Sequence, residues 1–220
     1  MFSRIARRYD AANTWLSFGL HHRWRAKAVR LAAPPESARA LDLACGTGDF
    51  AIAFAKVIGE HGSVIATDFT SEMLVHAKEK VARYNITLEQ ADAMSLQYAE
   101  LSFDVCSIAF GIRNVDNPVT ALREMNRVVK PGGKIVVLEF GQPDGWFGKM
   151  YRWYAETIIP FLGGLITGEK SAYQYLQTTS RDFPCGEKFT SLMRQAGIEN
   201  IDLYAFTGGV VYLYVGRKQD

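Results

Sequence analysis

The stretch that most constrains the fold is Ala40-Leu41-Asp42-Leu43-Ala44-Cys45-Gly46-Thr47-Gly48-Asp49-Phe50. An apolar run ends in a glycine turn, and a helical pattern starts at once behind it. That order reads as a strand, a tight turn and a helix. Gly46 and Gly48 let the backbone bend and let a ligand come close, because no Cβ stands in the way. Asp68, twenty residues past Gly48, closes a second apolar run, Ser63 to Thr67. A carboxylate at the end of a second strand can accept hydrogen bonds from ribose hydroxyls. Together they imply a nucleoside cofactor held across the carboxyl ends of parallel strands.

The rest of the chain extends this alternation. Strands are expected at 39–44, 63–68, 86–90, 103–110 and 134–140. Helices are expected at 49–59, at 71–84 (apolar at Met73, Leu74, Ala77 and Val81) and from Asn117-Pro118 to Val129. Lys130-Pro131-Gly132-Gly133 reads as the turn into the last of those strands. Strands alternating with helices imply an α/β fold with a mostly parallel sheet covered on both faces. Beyond Gln142-Pro143 the pattern changes. Residues 146–166 form an apolar, aromatic stretch broken by Pro160 and Gly163-Gly164. Helices follow at 171–179 and 186–196, the latter closed by Gly197. A hairpin, 200–206 and 210–216 around Thr207-Gly208-Gly209, ends the chain. Residues 2–32 read as helical and aromatic, a cap packed on the sheet or a lid over the cofactor. Pro34-Pro35 stops them. The domain reading is an N-terminal helical cap over residues 1–35 and a catalytic domain over 36–220, with a helical insertion at 145–185.

Composition excludes several classes. At 220 residues the chain is one large domain, and a formal charge of +2 is too small to argue for nucleic acid. The three cysteines, Cys45, Cys106 and Cys185, form no CxxC, so neither a disulfide framework nor a zinc site is expected; no metal is expected. No apolar run is long enough to span a bilayer. The odd, sparse cysteine set reads as reduced thiols in a cytosolic-type compartment, and the N-terminus runs into arginines without a secretory apolar segment.

The glycine turn alone does not choose the cofactor. Gly46, Gly48 and Ala51 satisfy a relaxed GxGxxA, which admits a nicotinamide dinucleotide. Three acids favour S-adenosylmethionine (AdoMet) instead. Asp42, inside the first strand, suits a ligand bearing an ammonium and a sulfonium and suits a pyrophosphate poorly. Asp49 opens the helix, where it complements the helix dipole but spoils a phosphate site. Asp92, after the third strand, can meet the adenine amino group. The plainer readings are a first-turn acid for Asp49 and a loop acid for Asp92.

Several further segments carry a family resemblance. Phe2-Ser3-Arg4-Ile5-Ala6-Arg7-Arg8-Tyr9-Asp10 with Asn13, Leu16-Ser17-Phe18-Gly19 and His21-Arg23-Trp24-Arg25 resembles the N-terminal signature of the quinone-biosynthesis C-methyltransferases. Ala109-Phe110-Gly111-Ile112-Arg113-Asn114-Val115 resembles their second signature. Leu138-Glu139-Phe140, Ser171 to Leu176, Phe183-Pro184 and Thr207-Gly208-Gly209 also fit, so the resemblance covers nearly the whole chain. It implies a class I AdoMet-dependent methyltransferase fold, Rossmann-like, with a seven-stranded sheet whose last strand runs antiparallel. It implies AdoMet contacts at Thr47, Asp68 and the Asp92-Ala93 pair. At Ala109 the family often has serine or threonine; alanine leaves only a backbone or packing contact. Gln142 and Tyr214 also depart from the pattern, Tyr214 standing where histidine is common.

The reaction implied is methylation of a ring carbon of a polyprenylated hydroquinone, leaving S-adenosylhomocysteine. The phenolate form makes that carbon nucleophilic, so the protein must favour loss of a phenolic proton and exclude water. Arg113 can lower the phenol pKa by its charge and orient a water that takes the proton. Asn114 can bond the substrate oxygen, and Tyr9 can contact the same oxygen or shield it. A loop salt bridge, a turn residue and cap packing are the competing readings of these three. His21 is expected to be a lid or structural residue. Residues 146–166 are the candidate tail channel or membrane-surface contact on the substrate side; core packing or a homodimer contact competes. The expected location is cytoplasmic, at the periphery of the inner face of the membrane. Rival functions are AdoMet-dependent methylation of another phenolic or lipid-like molecule, a nicotinamide oxidoreductase, and an idle quinol-binding module.

Overall fold

The structure, a computed structural model, describes residues 14–160, 162, 164 and 177–219. The seven strands are β1 (Arg39–Leu43), β2 (Ser63–Asp68), β3 (Ile86–Gln90), β4 (Phe103–Ala109), β5 (Val129–Phe140), β6 (Glu199–Phe206) and β7 (Val211–Arg217). They form one sheet in the order β3-β2-β1-β4-β5-β7-β6. β1 to β5 pair in parallel, while β7 runs antiparallel to both β5 and β6. The sheet thus has the seven strands and the single reversed strand expected.

The helices are α1 (Leu20–Ala32), α2 (Asp49–Ile58), α3 (Ser71–Val81), α4 (Pro118–Val128), α5 (Gly145–Trp153) and α6 (Glu187–Gln195). Strand side chains alternate between the two faces of the sheet. On one face Ala40, Val64, Val105, Val136 and Leu213 pack against α1 and α2. On the other, Leu41, Cys106, Ile108, Ile135 and Val137 pack against α4 and α6. The buried stripe of α1 is His21, Trp24, Ala28, Val29 and Ala32, a helical spacing. Asn117 caps α4 by accepting the Thr120 N–H at 3.0 Å, with Pro118 in the first turn.

The helix expected at 71–84 stops at Val81, and two further elements differ more in form from the expected bounds. β5 starts at Val129, because Lys130-Pro131-Gly132-Gly133 is carried as an irregularity within the strand. Gly132 takes φ 71° there, so the glycine bends the strand where a turn was expected. Residues 177–182 are helical, so the helix expected at 171–179 runs later; residues 171–176 lie outside the described ones. The C-terminal hairpin forms as expected, around a short 3₁₀ turn at Thr207–Gly209.

Candidate active site

Two cavities share a wall residue just past the carboxyl end of β4. The first, about 570 Å³, is walled from Ala44 to Asp116. Asp68, Asp92 and Asp116 line it, and among the described residues no lysine, arginine or histidine does. Such a wall repels a pyrophosphate and suits a cationic ligand. The second, about 460 Å³, is apolar and aromatic, with Trp24, Phe140, Phe147, Tyr151 and Tyr154 among its wall residues. Arg25 and Arg113 border it. Among the described residues, Phe110 is the one that both walls share.

Asp68 is fixed at the end of β2 by two backbone donors. Gly46 N–H donates to Oδ2 at 2.8 Å and Thr70 N–H to Oδ1 at 2.9 Å. Both oxygens keep lone pairs for a diol. Burial raises its pKa above the usual carboxylate range, against those two hydrogen bonds. Gly46, at φ 56°, brings bare backbone to the cleft. Gly48 serves packing instead. At φ 85° it starts α2, and a Cβ there would lie 2.8 Å from Val81 of α3.

Asp42 sits behind the turn, 1% exposed. Register places it opposite Ser107 of β4, whose hydroxyl donates to Oδ1 at 2.7 Å. Oδ2 has no partner among the described residues. Burial pushes its pKa up to about 7, with Ser107 and the Arg25 charge opposing. A buried carboxylate one donor short fits a cationic cofactor next to it. The folded chain therefore holds a proton that the unfolded chain has already lost above about pH 4. Stability of the ligand-free protein should fall as pH rises from about 4 to about 7, by at most about 1.4 kcal/mol per unit. Asp42→Asn should flatten that slope in thermal melts recorded across the interval.

The other candidates are placed as follows. Asp92 and Ala93 line the acidic cleft, and Asp92 accepts the Met94 N–H at 2.8 Å. Asn114 lies on the exposed rim of the same cleft. Thr47, Gly48 and Ala109 are set back from its wall. Thr47 Oγ1 accepts from Lys80 Nζ at 3.3 Å, and Ala109 packs in the core at the end of β4. Tyr9 lies outside the described residues.

Arg113 is buried in an ion pair, the loop salt bridge that was its competing reading. Its guanidinium donates from Nη1 to Glu139 Oε1 at 2.6 Å and to the Phe110 carbonyl at 2.7 Å. Both side chains of the pair are 2% exposed. Asp49 is more than a first-turn acid. Lys80 Nζ lies 2.6 Å from it and Arg25 Nη1 3.9 Å. Its pKa is lowered: burial pulls upward, but the Arg25 and Lys80 charges outweigh it. His21, His22 and Asp49 bring ligand atoms within 4.8 Å of one another. Arg25 Nη1, already near Asp49, also contacts His21 Nδ1.

The sequence reading named Glu139 and Arg25 only within the family resemblance, gave neither a role, and missed the pairing of Trp24 Nε1 with Thr207 Oγ1 at 2.9 Å. Tyr214 is a core replacement: it is 1% exposed, and its hydroxyl accepts the Gly186 N–H at 2.7 Å. Gln142 donates to the carbonyls of Ser180, Arg181 and Phe183 and so ties β5 to that segment.

Solved structures share the architecture. A SAM-dependent methyltransferase from Thermotoga maritima, described as a possible histamine N-methyltransferase, superposes with a TM-score of 0.72 at 20% identity, over 99% of this chain and 98% of that one. Phosphoethanolamine N-methyltransferase 2 of Haemonchus contortus, solved with S-adenosyl-L-methionine, gives 0.67 at 16% identity over 95% of this chain and 56% of that one. The fold is that of the class I AdoMet-dependent methyltransferases. The ubiE/COQ5 methyltransferase family model matches residues 1–218, and the chain belongs to that family. It is 50% identical to the ubiquinone/menaquinone biosynthesis C-methyltransferase of Bdellovibrio bacteriovorus, over 98% of this chain and 93% of that protein. It is 40% identical to the demethylmenaquinone methyltransferase of Bacillus subtilis, over 99% and 95% respectively.

Proposed function

We propose that this chain methylates a ring carbon of a polyprenylated hydroquinone, using AdoMet. The acceptor is demethylmenaquinol, the corresponding benzoquinol of ubiquinone biosynthesis, or both. The observation that carries this reading is the junction at Phe110. Phe110 stands in the walls of both an acidic cleft suited to a sulfonium nucleoside and an aromatic pocket suited to a flat, apolar ring. The names of the relatives agree with it.

Bound in the acidic cleft, AdoMet supplies an electrophilic methyl group. Asp68 holds the ribose, Asp92 and Ala93 the adenine side, and Asp42 balances the positive charge from behind the turn. Trp24, Phe140 and Tyr151 exclude water from the acceptor ring. Arg113 stabilises the deprotonated phenolic oxygen with the guanidinium edge not engaged by Glu139. Asn114 on the rim and Tyr9 from the cap bond or shield the same oxygen. Residues 1–35 act as the lid and 145–185 as the substrate-side insertion.

The pocket mouth supports a peripheral membrane role. Phe18, Met150 and Trp153 line the pocket and are also exposed, at 79%, 48% and 60%. Trp15 and Trp146 are exposed beside them in sequence, with Lys149 and Arg152 on α5. Amphipathic rings and cations in this arrangement suit an anionic lipid interface that delivers a prenyl chain. No helix among the described residues is long and apolar enough to cross a membrane.

The test is purified protein with labelled AdoMet and demethylmenaquinol in anionic vesicles. Labelled menaquinol, with protein recovered on the vesicles, is expected. Transfer to a simple phenol but not to either quinol would move the assignment to another phenolic acceptor. Protein left wholly in the supernatant would remove the membrane role.

A further inference from the structure

Phe110 holds a conformation that bulky residues avoid. Its φ is 57°, in the left-handed region. Two contacts hold it there: its N–H donates to the Leu138 carbonyl at 2.7 Å, and its carbonyl accepts from Arg113 Nη1 at 2.7 Å. Arg113 is in turn held by Glu139 at 2.6 Å. Glu139 Oε1 also accepts the Phe140 N–H at 2.8 Å, which fixes the carboxylate to β5. The Phe110 ring lies 4.6 Å from that of Phe140, with the Arg25 guanidinium 5.2 Å from its centroid. A buried ion pair is poor evidence for stability, and is better explained by a geometry it enforces.

We propose that Glu139 is a positioning residue for methyl transfer: through Arg113 it fixes the strained backbone of Phe110, and so sets the aromatic wall that the two cavities share. Methyl donor and ring carbon must approach to about 3–3.5 Å in line, and misplacement by about 1 Å costs about 100-fold. The wall residue that both cavities share therefore defines the register between them. The inference rests on the quinol methyltransferase reading, but its failure is separable: inactive wild-type protein would sink that reading, whereas active wild type with indifferent variants would sink this one.

The experiment is a mutant cycle on the full chain, with AdoMet affinity measured by calorimetry and turnover by quinol methylation. Glu139→Gln is expected to lower kcat at least 10-fold while AdoMet affinity stays within threefold. Phe110→Ala should lower kcat at least as far, and should weaken AdoMet binding as well, because Phe110 also lines the cofactor cleft. If Glu139 acts through Phe110, the double variant should be no worse than threefold below Phe110→Ala. Losses that multiply, or a Glu139→Gln enzyme within threefold of wild-type kcat, would overturn the proposal. Should Glu139→Gln not fold, Glu139→Asp enters the same cycle, keeping the charge and shortening the arm. Phe110→Gly adds a readout that a purely structural role would not give. It relieves the backbone strain, so the protein should melt no lower than Phe110→Ala and yet remain slow; restored turnover would count against the wall.

Discussion

Replacing Asp68 by alanine should weaken AdoMet binding by roughly 100-fold or more, about 3 kcal/mol. The carboxylate is held by the N–H groups of Gly46 and Thr70, so it meets a ribose diol already oriented. Hydrogen bonds to a charged acceptor contribute about 1.5–3 kcal/mol each, and two are lost. The same change strips Gly46 and Thr70 of their acceptor, which should also loosen the glycine turn. Asp68→Asn, which keeps one oxygen, should fall between the two. Calorimetric titration checks this; an affinity for the alanine variant within threefold of wild type would take the ribose role from Asp68.

Arg113→Ala should cost more in stability than any surface substitution. It leaves the Glu139 carboxylate buried without its cation, a loss of about 3–5 kcal/mol. Turnover should fall as well, while AdoMet affinity stays within a few-fold, because Arg113 lines the aromatic pocket and not the acidic cleft. Arg113→Leu combined with Glu139→Leu separates the two effects. With no charge left buried, much of the stability should return, and the lost turnover should not. Denaturant melts and initial rates on the three proteins check this. A double variant with wild-type turnover would reduce the pair to packing.

Local patterns made much of this legible in the sequence. Ala40 and Leu41 face opposite sides of the sheet because strand side chains alternate, and that alternation is written residue by residue. Asp68 is legible because its place depends only on where β2 ends. Glu139 was not. Its link to Arg113 depends on the register that sets Ala109 beside Leu138, and no short-range pattern encodes a strand register. Gly48 shows the opposite failure. Glycine at a turn signals a special backbone, but the sequence does not say whether a ligand or Val81 takes the space. Asp49 follows the same logic: a first-turn acid was visible, but Arg25 and Lys80 reach it from helices distant in sequence.

The walls of the two cavities are distributed very differently along the chain. The described residues that line the acidic cleft all fall between Ala44 and Asp116, whereas those of the aromatic pocket run from Leu16 to Val210. During synthesis the described residues of the cleft wall have therefore been made well before the acceptor pocket can close, since Thr207 and Val210 come long after Asp116 in the chain. The separation also bears on divergence. Most positions that shape the acceptor pocket can change without touching one that lines the cofactor cleft. Phe110 is the exception, and a shift in acceptor that alters Phe110 must be reconciled with both ligands at once.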